Sequence, residues 1–338
     1  MVGNRPGTKG VSRLENLKQY IVAASGKMRQ PAFDLLNEQV ELLSWQQGGR
    51  VPAEQFDSWL AKADALYSAG NIKIDAALLE KAPKLKVIAQ ASVGYDNIDV
   101  AACTARGIKV GNTPGVLNDA VADLAYGLII DCARHIVRGS EHVKSGLWGQ
   151  RRGLGFGSDL AGKTLGIVGM GGIGQEIALR AQASKMRVIY HNRHRRSDEA
   201  QLDVSYAELE DLLAQADFVV AAVTLNPSTK GMFNERTFAM MKPTASFINV
   251  ARGAVVDTHA LYLALKEGRL AAAALDVTDP EPLPGEHELL TLPNVTVTPH
   301  IASSTTETRD AMALLTAKNI LAGLRGERLP AQVNEIKE

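Results

Sequence analysis

The chain has 338 residues, enough for two domains of roughly 100–200 residues each. Lys plus Arg and Asp plus Glu both total 37, so the formal net charge is zero and no general field gathers nucleic acid or anionic membrane. With 46% hydrophobic residues, 5% aromatic residues and two cysteines, it reads as an aliphatic α/β globule with no disulfide framework, no cysteine pair for zinc and no apolar run long enough to span a bilayer.

Met1 to Asn16 are polar and mildly basic, without the apolar stretch of a signal peptide, so they read as a frayed leader and the cytoplasm is the expected location. Residues 20–24, 64–67 and 86–89 predict short buried strands, with helices over Ala32–Glu41 and Ile74–Lys81 between them. This alternation is the pattern of a parallel sheet covered by helices. Asp119 to Ser145 predicts one long helix with an apolar stripe of Val121, Leu124, Ala125, Leu128 and Ile129, extended by Ile136. The stripe is wide, which suits either a core helix that bridges domains or a contact between two subunits. Residues 146–162 are Gly-rich and carry Trp148, Arg151 and Arg152, which predicts a loop. Strands follow at 164–168, 186–190, 217–223, 245–250, 271–275 and 295–298, and a helix is expected from Ser303 to about Leu324.

Gly169, Gly171 and Gly174 form a GxGxxG in the stretch GIVGMGGIGQEIALRAQ. It follows a buried strand directly and opens a helix, which is the context that gives this otherwise weak pattern its meaning. The first glycine allows the tight turn, the second lets backbone approach a pyrophosphate, and the third lets helix pack on strand. The helix that starts with Gly172 and Ile173 then aims its N–H groups at the diphosphate. Dinucleotide enzymes that use NAD place a carboxylate about 20 residues on, at the end of the next strand. Here that strand runs into His191, Asn192, Arg193, His194, Arg195 and Arg196, with no carboxylate before Asp198. Guanidinium groups suit a 2′-phosphate, so NADP(H) is the expected preference, with NAD(H) as the second cofactor.

Three downstream segments each end an expected strand, where open α/β sheets carry their sites. They are INVARGAVVD with Arg252, ALDVTDPEPLP with Asp276 and Glu281, and VTVTPHIASST with His300. Reduction of a 2-oxo acid needs paired donors for carboxylate and carbonyl, which Arg supplies, and an acid to protonate the carbonyl oxygen, which His supplies. A carboxylate beside the imidazole orients it and holds its proton. Singly, each residue has a mundane reading as a structural His, a strand-end Arg and a stiff PEP loop. The chemical reading rests on all three occurring in order after one fingerprint.

These segments, with VGMGGIG and the spacing between them, resemble the D-2-hydroxyacid dehydrogenase family, near its glyoxylate, hydroxypyruvate and 2-ketogluconate reductases, over nearly all of the chain after Ala89. The resemblance implies NAD(P)H-dependent reduction of small 2-oxo acids, with Arg252 holding substrate, His300 as acid/base and Glu281 as its partner. It implies that ASVGYDNID is the substrate loop, with the N–H groups of Val93 and Gly94 on the substrate carboxylate; without it, that stretch reads as a strand end and turn. It implies that Thr224, Val250 and Asp276 line the nicotinamide side, with Asp276 touching the carboxamide. The basic run holding Asn192, Arg193 and Arg195 resembles that of members that use NADP. Residues 1–112 and 300–338 are then a flavodoxin-like substrate domain, into which a Rossmann dinucleotide domain, 113–299, is inserted, with the reaction in the cleft between. The partners implied are a small-molecule acid and, through the cofactor domain, a second copy of the chain, with Trp148 near the partner's active site; no metal, nucleic acid or membrane is expected. Two alternatives share the fold: dinucleotide-binding transcriptional corepressors, and phosphite-type dehydrogenases with the same Arg, Glu and His.

Overall fold

The computed structural model describes residues 17–47, 51–70, 72–149 and 154–336. The leader Met1–Asn16 and the pair Arg151 and Arg152 lie outside the described residues. The chain divides into two compact units, Met1–Thr113 with Met312–Glu338, and Pro114–Ala311. The return expected at 300 falls inside the second unit, which runs on to Ala311.

The first unit holds β1 (Ile21–Ala24), α1 (Gln30–Gln39), β2 (Glu41–Leu43), α2 (Ala53–Leu60), β3 (Ala65–Ser68), α3 (Ala76–Glu80), β4 (Val87–Gln90), α4 (Val100–Ala105) and β5 (Lys109–Gly111). Its five strands are all parallel, in the order β2-β1-β3-β4-β5. That is the flavodoxin-type order, with chain reversal between β1 and β3. Helices cover both faces, so the inner strands β1, β3 and β4 are largely apolar and buried rather than alternating. Ala65, Tyr67, Val87 and Ala89 pack on one side with Leu36 of α1, while Leu66, Ile88 and Val110 pack on the other with Leu60 and Leu79.

The second unit holds α5 (Asn118–Arg134), α6 (Ile136–Lys144), β6 (Thr164–Val168), α7 (Gly172–Ala183), β7 (Arg187–His191), β8 (Ser205–Tyr206), α8 (Leu209–Gln215), β9 (Phe218–Ala221), α9 (Glu235–Ala239), β10 (Ser246–Asn249), α10 (Thr258–Lys266), β11 (Ala272–Leu275) and β12 (Val295–Val297). Its seven strands run β12-β11-β10-β9-β6-β7-β8 and are all parallel. From the central β6 the chain winds outward through β7 and β8, then crosses back and winds the other way through β9 to β12. This is the Rossmann winding, which puts its switch point beside β6. The last helix, α11 (Thr306–Leu324), belongs to the first unit from Met312 onward, where Ala313, Ala317, Ile320 and Leu321 join the core around Val87.

Three strands escaped the sequence reading: β2, β5 and β8, each only two or three residues long. The expected helix Ala32–Glu41 ends at Gln39, because Glu41 turns extended to pair β1. The single helix expected over Asp119–Ser145 is two helices, broken at His135 with φ 55° and ψ 43°. The break is held by Asp131, a buried residue whose carbonyl accepts the N–H of His135 at 2.7 Å. The Asp131 carboxylate accepts the N–H of Val137 at 2.7 Å and the Thr296 hydroxyl at 2.6 Å. Side-chain oxygens that cap backbone donors compete with helix continuation in this way. Consequently Ile136 does not extend the buried stripe: it is 55% exposed, whereas Val121, Ala125, Leu128 and Ile129 are buried.

Candidate active site

The glycine loop joins β6 to α7 at the centre of the seven-stranded sheet. Gly169 has φ 106°, a conformation open to glycine, and a Cβ there would lie 2.5 Å from the carbonyl oxygen of Ala222. Gly171 precedes α7 with no side-chain cap, and the space where its side chain would be is open. Gly174 is buried where α7 meets Ile167 of β6. The N–H groups of Gly172, Ile173 and Gly174 have no acceptor among the described residues, as expected for a helix start that meets an anionic ligand. This opening fits the diphosphate of a dinucleotide.

Beyond β7, Asn192 accepts the N–H of Met170 at 2.7 Å, and Arg196 donates to the Met170 carbonyl at 2.9 Å. Asn192 therefore fixes the glycine loop from the neighbouring strand end. Arg196 also forks onto Asp198 at 2.8 and 2.6 Å, and Arg195 pairs with Glu199. These guanidinium groups hold both carboxyls below the usual carboxylate range. Among the described residues Arg193 is exposed and has no ion-pair partner, unlike Arg195 and Arg196. The basic run is thus mostly neutralised by its own carboxylates, a pairing that a linear reading of 192–196 does not show.

The other expected residues stand in strand order along the carboxyl edge. Thr224 follows β9 and is exposed, with its carbonyl accepting the Thr229 hydroxyl at 2.7 Å. Val250 follows β10, is 9% exposed, and donates its N–H to Ala221. Arg252 comes next in extended backbone, half-buried, with Nη1 donating to the Ala251 carbonyl at 2.9 Å. Its turn is tied by Asn249, a buried residue that the sequence reading missed: Nδ2 donates to the Arg252 carbonyl at 3.0 Å and Oδ1 accepts the N–H of Ala251. Gly253 then lies so close to Thr278 that a Cβ would be 2.0 Å from its carbonyl carbon. Any side chain here would push the Arg252 turn away from the loop that carries Glu281.

His300 and Glu281 meet directly, Nδ1 to Oε1, at 2.7 Å. His300 adopts φ 53°, an unusual state for a residue with a β-carbon. It is held there from β11: its N–H donates to the Asp276 carbonyl at 2.9 Å, and the Asp276 carboxylate accepts the N–H groups of Ile301 at 2.8 Å and Ala302 at 2.9 Å. The Thr298 hydroxyl completes the clamp at 2.6 Å. Asp276 is 1% exposed, so its charge is buried but well bonded, as such groups must be. In the structure this carboxylate bonds the His300 segment.

Val93 and Gly94 lie in the first unit, in the loop after β4, both partly buried. Among the described residues their N–H groups have no acceptor. No group of three or more metal-ligating side chains occurs among the described residues. Burial pushes the thiols of Cys103 and Cys132 up to about 11 and about 12, so neither is a nucleophile near neutral pH. No described helix is long and apolar enough to cross a membrane.

The family described as "D-isomer specific 2-hydroxyacid dehydrogenase, NAD binding domain" matches residues 126–302. A glyoxylate reductase of Pyrococcus furiosus is 46% identical over 310 residues, which are 90% of this chain and 92% of that one. The crystal structure of a glyoxylate reductase from Paecilomyes thermophila is similar with a TM-score of 0.85 at 34% identity, covering 93% of this chain and 98% of the other. An NADPH-dependent glyoxylate/hydroxypyruvate reductase from Sinorhizobium meliloti, solved with NADP and malonate, has a TM-score of 0.82 at 31% identity, covering 93% and 96%.

Proposed function

The chain belongs to the D-isomer specific 2-hydroxyacid dehydrogenase family, and on that premise we propose that it reduces glyoxylate, hydroxypyruvate and related small 2-oxo acids to 2-hydroxy acids, with NADPH preferred to NADH. The observation that carries the reading is the His300–Glu281 pair, clamped in place by Asp276 at the carboxyl edge of the sheet that bears the glycine loop.

A dinucleotide held at Gly169 to Gly174 would supply the hydride for the carbonyl carbon. The nascent alkoxide takes its proton from His300, whose ring Glu281 keeps aimed through its bond to Nδ1. Arg252 holds carboxylate and carbonyl with its planar fork, and the N–H groups of Val93 and Gly94 take the carboxylate. The sum is one 2-oxo acid, one NAD(P)H and one proton consumed, and one 2-hydroxy acid and one NAD(P)+ released. In this reading residues 1–112 and the C-terminal tail bind substrate, and the inserted domain binds the dinucleotide through Gly169 to Gly174, Thr224 and Val250. The test is a panel of glyoxylate, hydroxypyruvate, 2-ketogluconate and phosphite, each with NADPH and NADH. Turnover of phosphite alone, or of none of the four, rejects the proposal.

The NADP preference rests on Arg193, since Arg195 and Arg196 already hold carboxylates. Arg193→Ala is expected to raise KM for NADPH about tenfold, the loss of roughly one charge-assisted bond, and to leave NADH nearly unchanged. Equal losses with both cofactors would remove the phosphate contact from this residue.

A homodimer through the second unit is also proposed. α6 has no buried residue, and Ile136, Val137, Val143, Leu147 and Trp148 are 55%, 47%, 46%, 38% and 78% exposed. Such a run of exposed apolar side chains marks an association surface. Sedimentation velocity is expected to give a dimer for the native chain and a monomer for Ile136→Glu/Val143→Glu; a monomeric native chain overturns this.

A further inference from the structure

The loop after β4 shows an asymmetry between its carbonyl and N–H groups. The carbonyls of Ser92, Val93, Gly94 and Tyr95 each accept a hydrogen bond: from Thr113 N–H at 3.2 Å, Asn112 Nδ2 at 2.8 Å, Ser92 Oγ at 2.6 Å and Ile98 N–H at 2.9 Å. The N–H groups of the same four residues have no acceptor among the described residues. Buried backbone donors are nearly always paired, so four consecutive donors without a protein acceptor leave the loop able to bind an anion.

At Val93 and Gly94 side chains hold the carbonyls, whereas those of Ser92 and Tyr95 are held by backbone N–H groups. The Asn112 amide pins the Val93 carbonyl from the strand end next door, in the order β4-β5. Gln90 ends β4, and its Nε2 donates to Ser92 Oγ at 3.1 Å and to Asn97 Oδ1 at 3.4 Å. Because Ser92 Oγ accepts from Gln90, its single proton is committed to the Gly94 carbonyl. The two bonds form a relay in which each polarises the next. Asn97 in turn donates to the Ile72 carbonyl at 2.7 Å, which anchors the far end of the loop. Gln90 is 2% exposed, and its Oε1 has no partner. A buried amide oxygen left unpaired is a cost that folded proteins normally avoid. The amide nitrogen is what this position contributes.

We infer that Gln90, Ser92 and Asn112 are positioning residues for the substrate carboxylate: they hold down the carbonyls of Val93 and Gly94 so that the N–H groups of the loop stay free for the anion. This rests on the reading of Val93 and Gly94 as the carboxylate site. It names the residues that set affinity for the acid without touching it.

The experiment measures kcat, KM for glyoxylate, inhibition by oxamate and NADPH dissociation for Ser92→Ala, Ser92→Thr, Gln90→Met and Asn112→Leu. Ser92→Ala, Gln90→Met and Asn112→Leu are each expected to raise KM and the oxamate inhibition constant about fivefold, the worth of one ordinary hydrogen bond, with kcat at saturation and NADPH binding within about twofold of the native chain. Ser92→Thr keeps the hydroxyl and is expected to restore the native KM. A fall in kcat and NADPH binding in step with KM would mean a merely structural role and overturns the inference. Val93→Pro, which deletes one N–H of the loop, separates the two levels. If it raises KM while the side-chain variants do not, the carboxylate site stands and the positioning role fails. If none of these variants moves KM or oxamate inhibition, the carboxylate site itself is wrong and the positioning role falls with it. Ser92 is only half-buried, so the Ala and Thr pair remains readable should Asn112→Leu fail to fold.

Discussion

His300→Gln is expected to lower kcat/KM for glyoxylate reduction by about 10²- to 10⁴-fold, the usual worth of a positioned general acid. Gln preserves a polar side chain of similar reach but has no proton to give to an alkoxide. Glu281→Gln is the informative partner variant, because Oε1 sits 2.7 Å from Nδ1 and the substitution keeps shape while removing charge. It is expected to cost about tenfold, less than loss of the ring itself. The double variant is expected to be no worse than His300→Gln alone, since residues that act as a unit are not additive. NADPH binding by fluorescence serves as the control and is expected to stay native throughout. Full additivity of the two losses would show that Glu281 acts elsewhere than through the imidazole.

Arg252→Lys ranks second in expected effect. Lysine keeps the charge but loses the planar fork, so carboxylate and carbonyl are no longer gripped together. The loss of one charge-assisted bond of about 1.5–3 kcal/mol corresponds to about a 10- to 100-fold lower kcat/KM. The extended backbone at Arg252 is fixed independently by Asn249 on its carbonyl and by the tight packing of Gly253 on Thr278. The substitution therefore reports on the guanidinium rather than on a displaced turn. Melting temperature within a few degrees of native, combined with near-native efficiency on glyoxylate, would reduce Arg252 to a structural residue.

The parts of this protein legible in its sequence are those specified over short distances. The glycine fingerprint could be read because a tight turn, an open approach and a close helix contact are demanded within six positions of one another, directly after the apolar run of β6. The parallel strands β6, β9 and β11 were equally plain, since burial on both faces writes itself as a largely apolar run, TLGIV, FVVA and AAAL. Arg252, Glu281 and His300 could be picked out because each follows such a strand, and open sheets gather chemistry at that edge.

Tertiary structure decided what depends on partners distant in sequence. The short edge strands β2, β5 and β8 exist because a neighbouring strand presents free hydrogen-bonding groups, not because two or three residues have a strand pattern of their own. The apolar pattern ran straight through His135, yet the helix breaks there because Asp131 captures the next turn's donor and Thr296 holds Asp131 from 165 residues away. Arg193, Arg195 and Arg196 look alike in sequence, and only the folded turn assigns two of them to Glu199 and Asp198. His300 was recognisable as a candidate acid, but its left-handed backbone and the three bonds that the Asp276 carboxylate makes to its segment were not. A residue's type states which bonds it can make; the fold, by setting distances between remote strands, selects which of them are made.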